Sequence, residues 1–123
     1  ELGNVGKYGG AIYVGTSSIA EISDSKIIGN STNQEHGGAI CNYGSLYLYR
    51  TDFTNNNSSN YGGAIHNNNG YIYGESCIFN SNIAGQFGQV ASIVSGSAEF
   101  KLTNFSLYKI VALSRFIKLD VIK

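Results

Sequence analysis

Gly-Gly-Ala-Ile occurs three times in this chain, at Gly9-Gly10-Ala11-Ile12, at Gly37-Gly38-Ala39-Ile40 and at Gly62-Gly63-Ala64-Ile65, and a worn fourth copy reads Gly88-Gln89-Val90-Ala91. An aromatic ring precedes each copy: Tyr8, His36, Tyr61 and Phe87. The starts lie 28, 25 and 26 residues apart. A fixed period of this size marks a repeat architecture, and it decides how every other residue is read.

A second motif keeps phase with the first. Phe53-Thr54-Asn55-Asn56 and Phe79-Asn80-Ser81-Asn82 share the form Phe-x-x-Asn, Ile27-Ile28-Gly29-Asn30 replaces the Phe by Ile, and Phe105-Ser106-Leu107-Tyr108 keeps the Phe and loses the Asn. The distance from the first Gly to this apolar residue is 18, 16, 17 and 17. Between the motifs lie short alternating runs such as Leu46-Tyr47-Leu48 and Ile72-Tyr73, bounded by Gly, Asn and Ser, which read as strands. Each period then holds about three short strands and three turns. One such unit cannot bury its own apolar side, whereas stacked units can, each pairing its backbone with the next at ~4.8 Å. The expected fold is a parallel β-helix.

Alignment on Ile27, Phe53, Phe79 and Phe105 tests the stacking within the sequence. Two positions earlier stand Ser25, Thr51, Cys77 and Thr103, all small. Five earlier stand Ile22, Leu48, Gly74 and Phe100; seven earlier stand Ala20, Leu46, Ile72 and Ala98. These columns are predicted to face inward. Intervening columns set Asp24 beside Arg50, Lys26 beside Asp52 and Glu75 beside Lys101, the opposite signs that cross-strand neighbours prefer.

The 123 residues suit one domain, and 16 Gly with many Asn suit turns that need positive φ. A formal net charge of zero, with 13% of residues charged, argues against a nucleic-acid partner, which calls for a basic patch. No stretch approaches the ~18 uninterrupted apolar residues of a membrane span, so this segment is not expected to insert directly into a membrane. There is no Met, and Glu1 opens in mid-pattern, so the expectation is a piece of something longer. The two cysteines, Cys41 and Cys77, fall in different columns, Cys41 read as outward and Cys77 as inward. A disulfide needs Cα atoms within ~7 Å, so two free thiols are expected.

Taken in order, residues 1–7 read as the end of a preceding rung; 8–35, 36–60 and 61–86 as three good rungs; 87–112 as a degenerate fourth; and 113–123 as a cap or partial rung. From residue 105 onward Gly disappears and apolar residues crowd together. Ile117, Leu119 and Val121 alternate with Lys118 and Asp120, which suggests a strand, whereas Leu107, Ile110, Val111, Ser114 and Ile117 could share a helical face. Solenoids need atypical terminal units. An irregular strand layer is favoured over a helical cap. Asn30, Asn56 and Asn82 occupy one column just after a strand, where Asn tolerates left-handed geometry at a turn and can also bond along the axis as a ladder.

Gly-Gly-Ala-Ile phased with Phe-x-x-Asn resembles the repeats of the chlamydial polymorphic outer membrane proteins. The run Phe79-Asn80-Ser81-Asn82-Ile83-Ala84, followed by Phe87-Gly88, is similar to the linked motif of that family, with Gln89 departing from it. The resemblance covers roughly residues 8–112. It implies an adhesin-like right-handed parallel β-helix (solenoid), exported, displayed at the cell surface as part of a larger secreted or outer-membrane autotransporter-like protein. Gly9, Gly10, Gly37, Gly38, Gly62 and Gly63 would serve the tight turn, and Phe53, Asn56, Phe79 and Asn82 the core and ladder. The resemblance supplies no catalytic residues.

Sites of chemistry are sparse. His66 and Cys41 share a column with Tyr13 and Ser92, too few usual ligands for zinc, and the column reads as exposed and mixed. The calcium-binding nonapeptide is absent, since Gly9-Gly10-Ala11-Ile12-Tyr13-Val14 lacks the later Gly and the Asp. Acid–base hydrolysis of glycosides needs paired carboxylates at ~5–9.5 Å, but Asp24 and Asp52 each stand beside an opposite charge. No triad spacing is present. No catalytic, cofactor-binding or metal residue is expected. Tyr47 and Tyr73 stack in an outward column between Glu21 and Glu99, with Tyr13 and Tyr43 as further candidates nearby, and are the speculative ligand-facing residues. Outward Tyr also favours strands for structural reasons alone. The expected function is that of a non-enzymatic structural and adhesive module, with host or neighbouring-cell surface proteins or glycans as partners. Self-association through an open rung is also expected. The alternative is a carbohydrate-binding or polysaccharide-degrading β-helix fragment.

Overall fold

The computed structural model describes residues 5–6, 9–32, 36–85, 91–102, 110–112 and 117–121. All regular structure among them is β-strand, and every strand pairing is parallel. The chain is a parallel β-solenoid.

Each turn carries four strand segments rather than three. In the first they are β2 (Ile12–Val14), β3 (Ile19–Ser23), β4 (Lys26–Ile28) and β5 (Ser31–Thr32), with β1 (Val5–Gly6) before them. The second turn has β6 (Ile40–Asn42), β7 (Ser45–Tyr49), β8 (Asp52–Thr54) and β9 (Asn57–Ser58). In the third, β10 (Ile65–Glu75) runs through two of these positions, followed by β11 (Ile78–Asn80) and β12 (Ile83–Ala84). Above it lie β13 (Ala91–Leu102), β14 (Ile110–Ala112) and β15 (Ile117–Val121). They form sheets of eight, three and four strands. About three turns are complete on every side, one fewer than the four expected. The Gly88-Gln89-Val90 part of the worn repeat and Phe105 lie outside the described residues, although Ala91 pairs with Ile65 as the alignment requires. The C-terminal segment contributes strands to the stack, β14 and β15 both pairing with β13, as the favoured strand layer predicted.

The register is the one read from the repeats. Ile27 pairs with Phe53 and Phe53 with Phe79; Ala20, Leu46, Ile72 and Ala98 form one column, and Ile22, Leu48, Gly74 and Phe100 another. Leu46, Leu48, Phe53 and Ile72 of the second and third turns are fully buried, as is Phe100 on β13 above them. Phe53 and Phe79 stack face to face at 4.9 Å and 3°, and Phe100 meets Phe79 edge-on at 6.3 Å. Stacking at this spacing follows from the rung distance itself, because identical side chains in register are set down one rung apart.

The Gly-Gly step has two distinct causes. The first Gly takes positive φ, 79° at Gly37 and 72° at Gly62, which other residues adopt only with strain. The second is needed for close approach: a Cβ on Gly38 would lie 2.1 Å from the carbonyl oxygen of Gly63 and 2.7 Å from the backbone nitrogen of Asn57. Two further left-handed columns turn the chain between sheets: Asp24, Arg50 and Ser76, and Gly29, Asn55 and Ser81.

That second column corrects one expectation. Positive φ falls on the residue before each Asn of the ladder column, and Asn30, Asn56 and Asn82 themselves do not adopt it. They point inward and serve only as a ladder. Asn30 Nδ2 donates to Asn56 Oδ1 at 3.2 Å, and Asn56 Nδ2 to Asn82 Oδ1 at 2.9 Å. The same oxygens accept the backbone N–H of Asn30 and of Asn56, each at 3.0 Å. The second hydrogens of Asn56 and Asn82 reach the carbonyls of Ile27 and Phe53. A second ladder, not read from the sequence, joins Asn42 Nδ2 to Asn67 Oδ1 at 2.7 Å, with Asn67 Nδ2 bonding the carbonyls of Gly70 and Ser95. Buried amides persist because each polar atom is satisfied.

Candidate functional site

The outward face of β7 and β10 holds the candidate site. Strand alternation sends Leu46, Leu48 and Ile72 into the core and leaves Tyr47, Tyr49, Tyr71 and Tyr73 half-buried on the opposite side. Tyr47 and Tyr73 are register partners, as predicted. Their closest ring contacts are diagonal instead: Tyr47 meets Tyr71 at 5.9 Å and 61°, and Tyr49 meets Tyr73 at 5.9 Å and 50°. Four rings therefore make the patch where two were expected. Tyr49 and Tyr71 are each two residues along the strand from a predicted member, so alternation alone could have found them. Tyr13 and Tyr43, also considered, form their own pair at 5.5 Å.

Carboxylates adjoin the rings. Glu21 pairs in register with Tyr47, Glu75 with Tyr49 and Glu99 with Tyr73. Withdrawal from water raises the Tyr49 hydroxyl pKa, and Glu21, the neighbouring Tyr73 and Glu75 push it further. Tyr71 is raised likewise, first by desolvation and then by Glu99. Both hydroxyls stay protonated at neutral pH and can donate hydrogen bonds.

The charged columns are formed as read, with one direct contact. Arg50 donates from Nε and Nη2 to the two oxygens of Asp24 at 2.6 and 3.0 Å, on the exposed turn. This contact lowers the Asp24 pKa. Lys26 and Asp52 are in register, but Asp52 accepts a 2.6 Å bond from Thr54 Oγ1 on its own strand.

The His66 column departs from expectation. Tyr13, Cys41, His66 and Ser92 are register partners, as aligned. Tyr13 is exposed, but Cys41, His66 and Ser92 are buried, so neither the outward reading of Cys41 nor the exposed reading of the column holds. At His66 the cover comes from two rings that precede Gly-Gly steps, His36 and Tyr61. His36 packs on His66 at 4.4 Å and on Tyr61 at 4.8 Å, and Tyr61 lies 6.3 Å from His66. These rings cover His66. Burial, reinforced by His36, lowers the His66 pKa to about 4. Its Nδ1 has no hydrogen-bond partner among the described residues. Neither Cys41 nor Cys77 forms a disulfide, as expected, and burial raises the Cys77 pKa. Among the described residues, no group of three or more His, Cys, Asp or Glu could hold a metal ion. No helix among them is long and apolar enough to cross a membrane.

Residues 50–68 match the family model described as the Chlamydia polymorphic membrane protein repeat. The matched stretch runs from the Phe53 strand through Asn56 and the third Gly-Gly-Ala-Ile, the part of the molecule where ladder, stacked Phe and close-approach Gly meet. The solenoid and this match fit a repeat protein of the polymorphic membrane protein type. No curated protein and no solved structure matches the chain.

Proposed function

We propose that this chain is a non-enzymatic, adhesive module of a larger surface or outer-membrane protein, displayed outside the cell and working through its outer face. The observation that carries this reading is the patch formed by Tyr47, Tyr49, Tyr71 and Tyr73, held on a rigid stacked sheet. Tyr offers flat apolar area with a polar tip, the combination favoured where one protein meets another. The repeat match over residues 50–68 supports the surface location, because that repeat's name is of a membrane protein family. The bonds of Asp24 to Arg50 and of Thr54 to Asp52 support a structural role for these carboxylates in place of an acid–base one.

The test is direct. Beads coated with the chain are expected to adhere to host or neighbouring cells, and beads carrying the chain with Tyr47→Thr and Tyr73→Thr to adhere less. Beads that adhere no better than albumin-coated ones would overturn the reading. Release of reducing ends from cell-surface polysaccharide by the purified chain would overturn it in favour of a carbohydrate-active fragment.

A further inference from the structure

Glu21, Tyr47, Tyr73 and Glu99 lie in one column, in register on four successive strands along the solenoid axis. At ~4.8 Å per rung the two carboxylates stand roughly 14 Å apart, with two tyrosines between them. In the next column Tyr49 is paired with Glu75. Each of these three glutamates is thus the direct cross-strand neighbour of a ring. The Tyr49 column also holds Ser23 and Lys101, and the Tyr71 column beyond it holds Ser45 and Ser97. Rigid tyrosines interspersed with small hydroxyl residues are the composition of protein-binding loops in antibodies, which gain contact area at low entropic cost.

The charge on this face has one predominant sign. Glu21, Glu75 and Glu99 are set against Lys101, a local excess of negative charge on a chain whose formal net charge is zero. Asp24 and Arg50, in the adjoining turn, neutralise each other.

We propose that this face docks a partner protein through a lysine- or arginine-bearing segment, whose cationic groups lie over the tyrosine rings and beside the flanking glutamates. The proposal rests on the adhesive reading and names the chemistry of the partner. A cation is attracted to the face of an aromatic ring, and the same site adds a carboxylate next to each of three rings. Fixed negative charge also steers a basic segment towards the face, which makes association sensitive to salt. A neutral glycan could stack on the same rings, but it would gain nothing from the charge excess, and salt would leave its binding unchanged.

The probes are a fluorescent synthetic peptide of alternating Arg and Ser, its Glu and Ser counterpart, and a labelled neutral chito-oligosaccharide, each titrated against the full chain by fluorescence polarisation. The Arg peptide is expected to bind saturably and the Glu peptide not at all. The affinity should fall about tenfold from low to physiological salt. Tyr47→Thr and Tyr73→Thr should each weaken it about two- to fivefold. Glu21→Gln should slow association and flatten the salt dependence, with circular dichroism unchanged for all three variants. Equal binding of the Glu peptide or of the oligosaccharide would overturn the proposal, as would Arg-peptide binding indifferent to these substitutions. If coated beads adhere to cells and the tyrosine variants adhere less, but the Arg peptide does not bind or its binding is indifferent to these variants, the basic-partner inference fails and the adhesive reading stands. If the Arg peptide binds as expected but beads do not adhere, the adhesive reading fails and the docking chemistry stands.

Discussion

Asn56→Ala is the substitution that most directly examines what holds the rungs together. The Asn56 side chain is fully buried and takes part in four hydrogen bonds. Its Oδ1 accepts from the backbone and side chain of Asn30, and its Nδ2 donates to Ile27 O and Asn82 Oδ1. Truncation removes all four and leaves their partners in a space closed to water. At about 1 kcal/mol per bond, with more where a buried partner is left unmet, the expected loss is ~4 kcal/mol. That is a large share of the ~5–15 kcal/mol typical of a folded domain, so the variant should sit near the edge of unfolding. Denaturation in urea followed by far-ultraviolet circular dichroism measures it. Asn57→Ala is the control: Asn57 is exposed, its backbone N–H bonds Asn30 O regardless of side chain, and the change should stay within ~0.5 kcal/mol. A loss at Asn56 below about 1.5 kcal/mol would refute the reasoning, since a satisfied buried amide cannot be that dispensable.

Phe53→Ala should cost ~3–5 kcal/mol in the same assay, because the ring is fully buried and stacked on Phe79, and neighbouring rungs fixed by backbone pairing cannot collapse into the void. A loss under about 1 kcal/mol would mean the stack carries little. For His66 the direction follows from linkage: its folded-state pKa of about 4 lies below the ordinary histidine value of 6.5, so protons favour the unfolded chain. Stability is full above about pH 6.5, falls as the pH drops towards about 4, and loses ~3 kcal/mol over that window. Melting temperatures of the parent chain and of His66→Gln across this range check it; the variant should show a flatter profile, and equal slopes would refute the assignment. Strands β2, β3 and β4 pair on one side only among the described residues, so the purified chain should self-associate, and sedimentation showing monomers at high concentration would count against an open edge.

The register was legible in the sequence because two motifs share one period. A parallel stack places residues one period apart in contact, so Ile27, Phe53 and Phe79, or Ala20, Leu46, Ile72 and Ala98, could be written down as columns before any coordinates. Opposite charges on Asp24 and Arg50 added an independent check on phase. The ladder at Asn30, Asn56 and Asn82 was legible for the same reason. Its partner at Asn42 and Asn67 was hidden because only two copies exist: the equivalent positions hold Val14 and Ile93, and a column of Val, Asn, Asn and Ile looks like nothing in particular. Stacking supplies the missing term, since two adjacent amides suffice to satisfy each other along the axis while the ends remain apolar.

The candidate site was less legible, and the reason is geometric. The repeat specifies which residues are neighbours along the axis, but not how wide the rings are or which way they lean. Tyr47 and Tyr73 share a column, yet each ring reaches sideways to the next column, so the contacts run from Tyr47 to Tyr71 and from Tyr49 to Tyr73. Diagonal neighbours on a sheet lie only ~7–8 Å apart, within reach of an aromatic side chain. The same reach misled the reading of Cys41 and His66. Column logic placed them on a wall facing outward, but both are buried, and at His66 the rings of His36 and Tyr61 pack across the imidazole. Wherever a large side chain precedes a turn made by two glycines, the turn is bare of side chains of its own and the ring has room to fold over it. His36 and Tyr61 are therefore best understood as a lid over His66, and substituting His36 by Ser should raise the His66 pKa towards its ordinary value, readable by NMR titration of the imidazole, whereas substituting the outward Tyr13 should leave it unchanged.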